Sequence, residues 1–136
     1  MTGRQDNMAG RAKHRPAGAV QHATAGPYSP VLEVEARRIV VISGQVAVAL
    51  DGSPIGTTLE QQTRTTLHHC DRLLAAAGCG LADVFKVNVY LRDLADWETF
   101  NAVYRELLPE PWPVRTAVQA VLLPGFLVEV EMWAAK

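Results

Sequence analysis

Between Val84 and Leu91 apolar residues recur at every second position, with Lys86, Asn88 and Tyr90 set between Phe85, Val87, Val89 and Leu91. That period marks a strand with one packed and one polar face. Leu127 to Trp133 reads the same way, Val128 and Val130 alternating with Glu129 and Glu131. The β-branched runs Val31–Val34 and Arg38–Gln45 predict two strands of a hairpin. Val46–Leu50 extends the second of them toward Asp51-Gly52-Ser53-Pro54, a strong turn signal. The period then changes to that of a helix, with Leu59, Thr63, Thr66, Leu67, Cys70, Leu73, Leu74 and Ala77 on one face. Thr58 and Gln61 form a capping box at its start, and Gly78 ends it. Asp96 heads a second helix that turns Trp97, Phe100, Val103, Tyr104 and Leu107 inward until Pro109, Pro111 and Pro113 forbid its continuation. Arg115–Leu122 is a strand, and the short Leu123–Phe126 link predicts that it pairs with Leu127–Trp133 as an antiparallel hairpin.

The order is β-β-α-β-α-β-β, with room for one more strand at the start. It describes an α+β domain in which two helices cover one face of a mixed sheet. Val118, Ala120, Val128 and Val130 exceed what two helices need to cover, so the other face calls for burial by self-association.

A chain of 136 residues supports one domain. Residues 1–25 read as a polar, flexible leader and residues 26–136 as the folded unit. The leader carries Arg4, Arg11, Lys13 and Arg15 but no apolar stretch that would serve as a signal-peptide core. A net charge of −1 removes the electrostatic basis for nucleic-acid binding. No apolar run reaches the roughly 18 residues of a membrane-spanning helix, so no membrane partner is expected. Cys70 and Cys79 fit reduced thiols in a cytoplasmic protein. His68, His69 and Cys70 are adjacent on a helix and point in different directions, so no metal site is expected from them.

Arg115, in Pro113-Val114-Arg115-Thr116, and Glu129 are the candidate chemical groups. A planar guanidinium grips a carboxylate in two-pronged fashion, and a carboxylate beside it can take a proton from water. By alternation Glu131 shares the face of Glu129. These segments, with Gly26-Pro27-Tyr28-Ser29-Pro30, Ile42-Ser43-Gly44-Gln45, Val87–Asp93 and Phe100-Asn101 with Tyr104, resemble the RidA (YjgF/YER057c/UK114) family. The likeness runs in order from about Gly26 to Trp133. It implies a chorismate mutase-like fold, a homotrimer with sites in the clefts between subunits, and no metal or organic cofactor. It also implies hydrolysis of reactive enamine and imine acids, such as 2-aminoacrylate/2-iminopropanoate and 2-iminobutanoate, to 2-oxo acids and ammonia.

Carried over residue by residue, the resemblance gives Arg115 the substrate carboxylate and Glu129 the attacking water. Tyr28, Gly44 and Asn101 line the pocket, and Ala117 stands where many relatives have a cysteine that contacts substrate through its main chain. Glu131 is the weaker candidate for the base. Relative to longer members, the Pro109–Pro113 loop is short by a few residues and the Leu123–Phe126 turn by about one, while the leader is longer than the family's first strand. Two alternatives accompany this reading: a trimeric module that binds small carboxylates without turnover, and a specialised deaminase for a larger aminated acid.

Overall fold

The computed structural model describes residues 12–136. Residues 1–11, and with them that part of the leader, lie outside the described residues. Two small strands, β1 (Lys13–His14) and β2 (Glu33–Val34), precede β3 (Ile39–Gln45), α1 (Leu59–Ala76), β4 (Val84–Leu91), α2 (Trp97–Leu107), β5 (Val114–Gln119) and β6 (Val128–Ala135). The main sheet has the order β3-β6-β4-β5, with β4 and β5 parallel and the other pairs antiparallel.

Thr58 caps α1 as its sequence predicts: its Oγ1 accepts from the Gln61 N–H, and Gln61 Oε1 accepts from the Thr58 N–H. At the other end Gly78, at φ 77°, bonds back to Ala75 while the Cys79 N–H donates to Leu74 O. Only a residue comfortable at positive φ closes a helix in that way. Leu67, Cys70 and Leu74 of α1 and Phe100, Val103 and Tyr104 of α2 are buried against Val87, Val89 and Leu91 of β4 and Val128, Val130, Met132 and Ala134 of β6. Cys70 and Cys79 are buried free thiols, and burial pushes Cys70 up to about 12.

Several predicted details change. The hairpin expected from Val31–Val34 and Arg38–Gln45 does not form, because β2 pairs with β1 and β3 pairs with β6. The closing hairpin is absent too: β5 lies parallel to β4, and β6 enters the sheet between β3 and β4. A short link is compatible with a hairpin but does not require one, and β4 offers two free edges. β5 ends at Gln119, and Val46–Leu50 leaves the sheet, Val48 bridging Pro54 across the turn. Asp96 makes no side-chain cap; Asp93 instead caps the preceding 3₁₀ turn through the Ala95 N–H. Leu73, expected inside, is 44% exposed. Val128 and Val130 face the helices, so the apolar part of the open face is built instead from Ile39, Val41 and Val118. Among the described residues, no helix is long and apolar enough to cross a membrane.

Candidate functional site

Arg115 lies in β5 opposite Val87, which directs its side chain toward the helices. There its guanidinium carbon stands 4.9 Å from the Tyr104 ring centroid, 5.1 Å from Trp97, 5.2 Å from Tyr28 and 5.6 Å from Phe100. Aromatic faces attract a cation, but they leave its N–H groups without acceptors. One of them is met: Nη2 donates to Asn101 Oδ1 at 2.8 Å. Nη1 is buried and has no partner among the described residues, and no carboxylate there lies within ion-pairing distance of Arg115. Burial lowers the guanidinium below its ordinary value, opposed by Tyr104 and Tyr28 and reinforced by Arg105. Burial likewise raises the Tyr104 phenol, opposed by the charge of Arg115.

The Gly26–Pro30 segment is fastened beside this cage. Ser29 bridges Val114, its N–H donating to Pro113 O at 3.1 Å and its Oγ to Trp112 O. That anchorage holds Tyr28 against Arg115. A Cβ on Gly26 would come 3.2 Å from Asn101 Nδ2 and 3.5 Å from Arg115 Nη2, so the missing side chain lets the backbone approach the cage closely. Ala117, one alternation beyond Arg115, packs against the core on the same face.

Glu129 and Gly44 form a separate group. Glu129 pairs with Tyr90 on the open face of the sheet, and Gly44 lies in the irregular stretch of β3 where its register against β6 shifts. A Cβ at Gly44 would stand 3.0 Å from Glu129 Oε2. The Glu129 carboxylate accepts no hydrogen bond from the described residues. Glu131 is occupied: its Oε1 accepts from Asn88 Nδ2 at 2.9 Å and from the Tyr90 hydroxyl at 2.7 Å. That bond, with some burial and the charges of Glu131 and Glu129, raises the Tyr90 phenol.

The predicted residues thus fall into two clusters. Arg115, Asn101, Tyr28 and Ala117 are on the helix side of an edge strand, while Glu129 and Gly44 are on the opposite side, with β4 between β5 and β6. Pairing of the two segments in one sheet therefore does not bring cation and carboxylate together within one chain. Trp97, Phe100 and Tyr104, which complete the cage, read in the sequence as a helical core stripe, since nothing in their spacing distinguishes packing on a sheet from packing on a buried cation. Gly26 gave no separate signal beyond its turn.

A family model described as Endoribonuclease L-PSP matches residues 19–136. The chain belongs to the RidA/YjgF family. It is 36% identical over 125 residues to the mitochondrial protein mmf2 of Schizosaccharomyces pombe, covering 89% of this chain and 97% of that one. It is 34% identical over 116 residues to the 2-iminobutanoate/2-iminopropanoate deaminase of Bos taurus, covering 84% and 83%. Its fold superposes on the crystal structure of RidA from an Antarctic Psychrobacter with a TM-score of 0.68 at 33% identity, covering 87% of this chain and 98% of that one. Two helices on a mixed sheet are thus shared with solved members of the RidA family.

Proposed function

We propose that this RidA-family protein hydrolyses small 2-imino and 2-enamino acids to 2-oxo acids and ammonia. The observation that carries the reading is the Arg115 cage: a buried guanidinium with four aromatic walls, whose Nη1 has no partner and which pairs with no carboxylate among the described residues. A substrate carboxylate supplies the missing acceptor. Asn101 holds the fork by its other nitrogen, so the free edge is already oriented when the acid arrives.

Hydrolysis then needs water at the C=N carbon. Water adds there, its proton passes to a base, the nitrogen is protonated, and the carbinolamine expels ammonia to leave the carbonyl. Glu129 is the base in this reading, favoured over Glu131 because its carboxylate is not held by neighbouring donors. Since Glu129 and Arg115 are on opposite faces of the sheet, the complete site is made between copies: the Glu129–Gly44 face of one subunit closes the Arg115 cage of the next. A homotrimer provides such seams and covers Ile39, Val41 and Val118. A charge-assisted bond from Arg115 contributes about 1.5–3 kcal/mol, and a positioned base about 10²- to 10⁴-fold in rate.

The test generates 2-iminobutanoate in situ with a dehydratase and follows its loss by semicarbazide capture. Wild-type protein is expected to suppress capture, and Arg115→Lys to lose most of that effect because an ammonium lacks the fork. Capture unaffected by the wild-type protein would reject deaminase activity. Retained binding of 2-oxobutanoate in that case would mark a carboxylate-binding module.

A further inference from the structure

Pro109, Pro111 and Pro113 end α2 and also strip the following segment of backbone donors, since a proline has no N–H. Such a segment has to be fastened by its carbonyls, and three in succession are. Pro111 O accepts from Lys13 Nζ at 2.9 Å, Trp112 O from Ser29 Oγ, and Pro113 O from the Ser29 N–H at 3.1 Å. Both donor residues come from before β2. The Lys13 ammonium also donates to Val84 O, at the start of β4, so it pins the segment to the end of the main sheet. Lys13 is 6% exposed and Ser29 2%, which keeps water from competing for these bonds.

The fastened segment bears on two walls of the Arg115 cage. The Trp112 ring packs on Tyr104, their centroids 6.3 Å apart, and Tyr104 stands 4.9 Å from the guanidinium carbon. Next to Ser29 is Tyr28, 5.2 Å from the same carbon. Resting on the reading of Arg115 as the group that binds a substrate carboxylate, we infer that Lys13 is a positioning residue for the cage. By holding Pro111 it keeps Trp112 against Tyr104 and the next two carbonyls within reach of Ser29, and so sets how Tyr28 and Tyr104 stand about Arg115. Spatial continuity alone does not establish such coupling; a change at one end must be felt at the other.

The choice of a lysine fits this role. Burial disfavours its ammonium, with only the charge of Asp83 opposing that effect, and no carboxylate among the described residues lies within ion-pairing distance of it. An apolar side chain of similar length would avoid burying a charge but would leave Pro111 O without this donor. A buried acceptor that loses its partner is destabilising where it stands, so the segment would shift. In this inference the charge is kept for geometry rather than for stability. Lys13 precedes residues 19–136, the span of the family model, so that match assigns it no role.

The test compares the full-length wild type with Lys13→Met, Ser29→Ala, the double variant and Thr58→Ala. Titration with 2-oxobutanoate reads the cage without turnover, and KM and kcat for 2-iminobutanoate read it in the proposed reaction. Lys13→Met is expected to raise Kd and KM about tenfold, as a binding group displaced by a fraction of an ångström does, with kcat changed by less than about twofold because β6 places Glu129. Ser29→Ala should act in the same direction, and the double variant should raise Kd by less than the product of the single effects, since both residues hold one segment. Thr58→Ala weakens the α1 cap instead and should leave Kd unchanged, which separates lost stability from lost position. In ligand-free protein the indole N–H resonances of Trp97 and Trp112 should shift in Lys13→Met and stay in place in Thr58→Ala. An unchanged Kd in Lys13→Met, an equal rise in Thr58→Ala, or fully multiplicative effects in the double variant would overturn the inference. A wild type that binds no 2-oxobutanoate would reject the carboxylate reading of Arg115; the two indole resonances would then decide the role of Lys13, and their constancy in Lys13→Met would overturn it.

Discussion

Arg115 is costly to bury, and its surroundings show how that cost is met. Aromatic faces offset part of the lost hydration, Asn101 satisfies one nitrogen, and Nη1 is left without a partner among the described residues, the place the substrate carboxylate takes in the proposed reading. Asn101→Ala should therefore weaken binding of 2-oxobutanoate while leaving it detectable, measured by titration calorimetry, because the fork loses its orientation but keeps its charge. Gly44 has a different constraint. Its φ is not in the left-handed region; what matters is that a methyl there would sit 3.0 Å from Glu129 Oε2. Gly44→Ala is expected to lower kcat at least tenfold by turning the carboxylate aside, with thermal stability changed by little. Equal kcat in the variant would remove Gly44 and Glu129 from a common role.

The two small strands at the start are tied to the domain by one lysine. Lys13 is 6% exposed, and burial brings its ammonium down to about 8 from 10.5, opposed by the charge of Asp83. The unfolded chain thus binds the proton more tightly than the folded one between those values. Stability contributed by this group is lowest below pH 8, where folding must bury a charge, and rises as pH climbs toward 10.5. Urea melts at pH 7.5 and 9.5 should show that rise, and Lys13→Met should show less of it. The helices make a plainer prediction. Leu74 is fully buried between α1 and the sheet, so Leu74→Ala should cost about 2–5 kcal/mol in the same measurement. The Thr58–Gln61 box and the Gly78 closure were legible because capping is a short-range matter of adjacent backbone donors and acceptors.

Taken as one body, the chain leaves a sheet face uncovered. Val41 is 57% exposed and Ile39 53%, and Val41 lies opposite Trp133 on β6, whose open face farther along carries Glu131 and Glu129. A patch that joins apolar side chains to the carboxylate proposed as the base fits the proposed interface that also forms a site. If the proposed trimer forms through this face, Val41→Glu should give monomers in sedimentation velocity and abolish the proposed deaminase activity while leaving the far-ultraviolet circular dichroism unchanged. Monomers that kept full activity would show that the Arg115 cage works without a second copy.

The period of Val84–Leu91, the helical stripe on α1, the caps of α1 and the prolines that follow α2 were readable directly from the amino acids, since each depends on residues within a few positions of one another. The family's fold and the identities of Arg115, Glu129, Tyr28, Gly44, Asn101 and Ala117 as candidates came from ordered motifs in the same string. Pairing could not be read in that way. Which strand lies beside which depends on contacts between distant segments, so β6 entered between β3 and β4 and separated Glu129 from Arg115. The same long-range packing made a cage from what looked like a core stripe, because an aromatic side chain buries itself equally well against a valine or a guanidinium until the neighbouring strand brings one or the other to it.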